Sequence, residues 1–126
     1  TWEAPEFIQI GGKDVEGVTL STHYSVDAAP TEAAKEFVDA YKEKFNKEPN
    51  AFAALGYDAY MVILDAIERA NSYEPTAIRD ELAKTVGFKG VTGTITLDEN
   101  GDATKSAVIL QVQDGVFKYL TTVEPD

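Results

Sequence analysis

The sequence predicts a mixed α/β chain, and three observations carry that prediction. An amphipathic helical pattern over residues 32–45 runs into a longer segment, 51–70, that is apolar around most of its circumference. A β-branched alternating stretch precedes them, Val18-Thr19-Leu20-Ser21-Thr22-His23-Tyr24. Two hairpin signals follow them, Asn100-Gly101 and Asp114-Gly115, between short runs rich in Val, Ile and Thr.

The element over 51–70 organises the rest. Asn50 is a suitable N-cap acceptor, and Pro49 keeps the preceding chain out of helix. Phe52, Leu55, Ala59, Tyr60, Met61, Val62, Ile63, Leu64 and Ile67 leave only Asp58, Asp65 and Arg69 as a polar line, with Asp65 and Arg69 one turn apart. Asp58 and Asp65 interrupt it too often for a membrane span. A helix apolar on so many sides needs cover on most of them.

The other elements follow in order. Pro5 at a first helical position and the Gly11-Gly12 stop bracket a short helix over 5–10. Thr31 caps the helix over 32–45, whose apolar face is Ala34, Phe37, Val38, Tyr41 and Phe45 and whose charged face reads as solvated surface. The short link 46–49 brings this helix against the next. Gly56 inside that helix costs about 1 kcal/mol relative to Ala; it marks either a close backbone approach or a merely tolerated glycine. A third main helix spans 75–85, behind Pro75. Strands are expected at 94–97, at 106–113 with apolar residues on both faces and hence buried in a sheet, and at 116–120.

Charge and motifs exclude more than they assign. Eleven basic against 22 acidic residues give a net charge of −11, which argues against nucleic acid or anionic lipid as partners. Without cysteine there is no disulfide framework and no thiol chemistry. No signal peptide or transmembrane run is evident, and the start at Thr1-Trp2 without Met suggests a processed or truncated product. His23 stands alone and reads as a structural or solvent-facing residue, not a metal ligand. The glycines of Gly87-Phe88-Lys89-Gly90-Val91-Thr92-Gly93 do not form a phosphate loop; they permit a tight entry into the strand that follows. Asp98 to Asp102 imitates a calcium loop, but Ala103 and Ile109 stand where Gly and Glu are required. No catalytic set, metal site or cofactor motif emerges, and scattered carboxylates are weak grounds for an acid–base pair.

Several blocks resemble one family in order. They are Trp2-Glu3-Ala4-Pro5-Glu6, Val15-Glu16-Gly17-Val18, Ser21-Thr22-His23-Tyr24, Phe37-Val38-Asp39-Ala40-Tyr41, the run from Glu48 to Ala59 (EPNAFAALGYDA), and GVTGTITLDENGD from Gly90. The chain is similar to the periplasmic branched-chain amino-acid-binding proteins, type I solute-binding receptors that feed ABC transporters. The resemblance extends from Trp2 to about Tyr119 and covers only the C-terminal portion of such a receptor.

That resemblance implies an α/β fold of two lobes joined by a three-strand hinge. This chain would supply about three main helices and a β-hairpin. Residues 1–24 would be the end of the second lobe and a hinge-crossing strand; residues 25–126 would complete the first lobe, with the last strand returning across the hinge. It implies a small-molecule ligand such as an amino acid, a membrane permease as partner, and a periplasmic or extracellular location with a lipid anchor as one option. Phe52 and Trp2 are the cleft residues it carries over. The groups that hold the ligand's carboxylate and ammonium would lie outside this chain. From the residues alone, Phe52 is an ordinary core aromatic. A sensing domain of the same fold and an enzyme subunit using carboxylates remain alternatives. Because one amphipathic helix and a hairpin cannot cover all the apolar surface, the chain is expected to pair with another copy, by strand exchange or a broad apolar interface.

Overall fold

The computed structural model describes residues 3–28 and 31–125. Helix α1, Pro5–Gly11, stops where Gly12 takes a φ of 52°, and a 3-10 turn, Gly12–Val15, leads into β1, Thr19–Thr22. Helices α2 (Glu32–Phe45), α3 (Ala51–Ala70) and α4 (Pro75–Leu82) follow. The chain then forms β2 (Phe88–Gly90), β3 (Gly93–Leu97), β4 (Ala103–Thr104), β5 (Ala107–Gln113) and β6 (Val116–Val123).

The expected caps are present. Thr31 Oγ1 accepts from the Ala34 N–H and Asn50 Oδ1 from the Ala53 N–H, both at 3.0 Å. Asn46 and Asn71 end α2 and α3 in the left-handed region, where Asn is tolerated better than most residues. Asp65 and Arg69 pair at 2.8 Å as their spacing predicts, and Arg69 also reaches the Glu81 carboxylate and the Thr85 hydroxyl. Arg69 therefore ties α3 to the end of α4.

Helix α4 is shorter than expected. Beyond Leu82 the bonds tighten to a three-residue spacing, Lys84 N–H to Glu81 O and Thr85 N–H to Leu82 O, and Gly87 at φ 68° turns the chain away. The glycine-rich run contains a strand, β2, that its composition concealed. It pairs antiparallel with β3 through a two-residue loop, Val91-Thr92, with Gly90 opposite Gly93. The hairpin at Asn100-Gly101 forms as expected and pairs β3 with β4.

The second sheet is antiparallel in the order β1-β5-β6, with Leu20 opposite Leu110 and a bulge between Ile109 and Leu110. Strand β5 is central but not buried on both faces. Val108, Leu110 and Val112 are buried while Ile109, Gln111 and Gln113 stay half-buried. Only Ile109 offers a large apolar group to that second face, so nothing there demands full cover. A core of Tyr24, Ala34, Phe37, Val38, Ala51, Ala54 and Val91 joins α2, the start of α3 and the β2–β3 loop.

Helix α3 buries one line, Ala51, Ala54, Asp58, Val62 and Ala66, at helical spacing. Phe52, Tyr57, Tyr60 and Ile63 remain exposed. Gly56 borders open space among the described residues: nothing stands within 4 Å of where a Cβ would lie. The close approach considered for it does not occur here, and the tolerated glycine stands. No helix among the described residues is long and apolar enough to cross a membrane.

Candidate functional site

Phe52 sits in the first turn of α3, immediately after the Asn50 cap, and is 61 % exposed. Within this chain the ring is not covered as a core aromatic would be. Its ring borders a concavity of about 600 Å³ between the start of α1, the segment after β1, the start of α3, and Leu110 and Phe117 of β5 and β6. Phe117 stacks on Phe7 of α1 with ring centroids 6.5 Å apart, which makes one side of the hollow aromatic. Glu3, Glu6, Asp27 and Glu48 stand around it. Trp2, the other sequence-derived candidate, lies outside the described residues.

Tyr24 lines the same concavity and is only 5 % exposed. Its hydroxyl is buried with no hydrogen-bond partner among the described residues. Burial, followed by the negative charge of Glu48, pushes the phenol up to about 12, because both disfavour the phenolate. An apolar and aromatic wall rimmed by carboxylates can hold an aliphatic group and attract a cation. Among the described residues it offers no paired nucleophile and base. Among the described residues no group of three or more His, Asp and Glu side chains is placed to hold a metal ion. Asp98, the first position of the calcium-like run, accepts the N–H groups of Asn100 and Asp102 at 2.8 Å each. Those backbone bonds, Asp102 foremost, lower its carboxyl below the usual range, and it serves the turn. His23 is exposed.

The best-ordered polar constellation was missed by sequence reasoning. Asp58 is 2 % exposed on the inner face of α3, and its carboxylate receives three hydrogen bonds. Oδ1 accepts from the Val91 N–H at 2.7 Å; Oδ2 accepts from the Thr92 N–H at 2.9 Å and the Thr92 hydroxyl at 2.6 Å. Lys105 donates to the same Thr92 hydroxyl oxygen and, at 3.4 Å, to the carbonyl of His23 at the end of β1. Burial lowers the Lys105 amine, and the Asp58 charge opposes that shift. Gly90 leaves the space that the carboxylate fills: a Cβ there would lie 2.6–2.7 Å from all three of its atoms. The available signal was an Asp amid apolar residues of α3 together with the spaced glycines. Their meeting depends on a separation of more than 30 residues that no local pattern encodes.

Comparison with known proteins decides what kind of molecule this is. A family model described as periplasmic binding protein matches residues 2–116. The chain belongs to that family. The leucine-binding protein of Thermotoga maritima MSB8 is 52% identical and superimposes with a TM-score of 0.89, covering 98% of this chain and 35% of that one. A branched-chain amino acid transporter substrate-binding protein of Streptococcus pneumoniae, solved with isoleucine, is 30% identical with a TM-score of 0.85, over 98% of this chain and 35% of that one. The Leu/Ile/Val-binding protein homolog 7 of Brucella abortus (strain 2308) is 28% identical over 110 residues, 83% of this chain and 27% of its own length. The chain thus matches about a third of the length of these relatives. It carries an α/β part of the type I periplasmic binding protein fold, and these relatives are leucine-, isoleucine- and valine-binding proteins. Proteins of this family and fold are solute-binding proteins, not enzymes.

Proposed function

We propose that this chain is part of the ligand-binding receptor of an ABC transporter that takes up an aliphatic amino acid or a closely related small solute. The observation that carries this reading is the 52% identity to a leucine-binding protein sustained over nearly the whole chain. The exposed Phe52 beside an apolar concavity supports it. Phe52 then packs on the ligand's side chain, with Trp2 as a second wall of the cleft. Residues 1–24 close the second lobe and provide a hinge strand, and residues 25–126 complete the first lobe. The receptor works outside the cytoplasmic membrane, anchored by lipid or free, and delivers its ligand to a membrane permease. It binds without catalysing a reaction.

The contacts that fix the ligand's carboxylate and ammonium lie on other parts of such a receptor, and a one-walled cleft leaves the ion pair in water. Calorimetric titration of the full receptor with leucine, isoleucine and valine is expected to show a saturable micromolar or tighter site. The 126-residue chain should show no saturable heat at micromolar ligand. A clear micromolar site on this chain alone would overturn the assignment of the polar contacts to other segments. Absence of binding in the full receptor would overturn the ligand class. On its own the chain self-associates, because α2 and α3 leave large apolar groups such as Phe45, Tyr57, Tyr60 and Ile63 uncovered.

A further inference from the structure

Self-association, as proposed above, requires a face, and the groove between α2 and α3 is one whose charges are arranged to match themselves. The groove has a volume of about 570 Å³. Phe37 lies 4.8 Å from Tyr57 and 5.8 Å from Tyr41, and Tyr41 lies 4.6 Å from Phe45, all between ring centroids. This ladder is only partly covered: Phe45 is 50 % exposed and Tyr57 also faces solvent. Ala40, exposed at the middle of α2, leaves the groove shallow enough for another helix to approach closely.

The rim supplies the second observation. Glu36 and Lys44 both line the groove, each four residues from Ala40 on opposite sides. The other α2 lysines have partners, Lys35 with Glu32 and Lys42 with Glu48. Among the described residues Glu36 makes no ion pair, and Lys44 meets only the Phe45 ring at 5.5 Å. When two copies of a helix pack antiparallel about a two-fold axis, residues equally far from the axis on opposite sides meet. An axis at Ala40 therefore sets Glu36 of each copy against Lys44 of the other. It also brings the exposed half of Phe45 onto the second copy near Phe37 and Tyr57, at the opposite end of the groove.

We propose that a second copy of this chain docks in this groove, α2 against α2 antiparallel about Ala40, closed by two reciprocal Glu36–Lys44 pairs. The proposal rests on the self-association reading, and the test separates the two. Sedimentation equilibrium near 0.15 M salt, where repulsion between the acidic chains is screened beyond about 8 Å, is run on the wild-type chain, E36K, K44E and the E36K/K44E double variant. Circular dichroism checks folding, which these exposed positions should leave intact. The wild type is expected to dimerise. Each single variant opposes like charges twice and should weaken the dimer at least tenfold, and the double variant should restore it to within about threefold. Oxidation of Ala40→Cys should give a cross-linked dimer, while Asp80→Cys should not. A wild type that stays monomeric at all concentrations overturns self-association itself. A dimer indifferent to the single charge reversals, or unlinked through Ala40→Cys, overturns this face and leaves self-association standing.

Discussion

The two faces of α3 differ in the size of their residues and have opposite fates. The inner face is a line of small residues around one charge, Ala51, Ala54, Asp58, Val62 and Ala66, and it is closed. The outer face carries larger apolar groups, Phe52, Tyr57, Tyr60 and Ile63, and it is open. Size and hydrophobicity alone would reverse that assignment. Small side chains let the β2–β3 loop approach the helix, and at that distance the two loop N–H groups needed an acceptor. Asp58 is that acceptor. Burial on this chain thus follows a polar appointment between helix and loop, whereas the larger apolar groups face regions where the chain has nothing to place.

The largest expected effect breaks the closed face. Asp58→Ala strands two buried N–H groups and removes the carboxylate charge near Lys105, which should cost about 3–5 kcal/mol in urea unfolding. Gly90→Ala drives a methyl into the same carboxylate and should cost about 1–3 kcal/mol. If either variant unfolds like the wild type, the clasp does not hold the hairpin.

Next comes the open face at the cleft. Phe52→Ala in the full receptor should weaken ligand binding at least some thirtyfold, equivalent to about 2 kcal/mol. Its stability should fall by less than about 1 kcal/mol, because the ring is 61 % exposed within this chain and contributes little to its packing. Measuring denaturation and affinity on one sample separates the roles: unchanged affinity per folded molecule removes Phe52 from the site.

Tyr24 lies at the boundary between the two and can be read through pH. Its folded-state value, about 12, exceeds the ordinary value of 10.0. The folded chain therefore keeps a proton that the unfolded chain loses as pH rises from about 10 to 12. Stability is independent of this group below pH 10 and falls across that window, by roughly 2–3 kcal/mol at most. Tyr24→Phe should flatten this part of the pH–stability curve. It should also leave neutral-pH stability unchanged or raised by about 1 kcal/mol, since the buried hydroxyl has no partner among the described residues to lose. An unaltered alkaline limb would place the phenol in water.

The smallest effect is on the outer helix surface. Ile63→Thr should shift unfolding of the monomer by no more than about 0.5 kcal/mol, measured at concentrations where pairing is negligible. A loss of several kcal/mol would mean this face is packed after all.

Much of the architecture was legible because it is set locally. The Thr31 and Asn50 caps, the Asp65–Arg69 pair, the Gly12 stop and the Asn100-Gly101 turn each depend on residues a few positions apart, and each forms as expected. The resemblance to a receptor family was legible for a different reason: blocks such as EPNAFAALGYDA are specific in composition and order. Strand β2 was concealed because three glycines spaced three apart read as a loop when the cross-strand partner is unknown. The one-sided burial of β5 was decided by what lies opposite each face, which its own alternation does not state.

Tertiary structure alone could decide the role of Asp58 and the exposure of Phe52. On the sequence both belong to one helix: Asp58 is an acid in a polar line, and Phe52 reads as core from the residues alone and as a cleft residue from the resemblance. Helical periodicity fixes which residues share a face, but not which face meets the rest of the chain. That choice depends on contacts spanning tens of residues, where a buried carboxylate is stable only because two N–H groups and a hydroxyl arrive together.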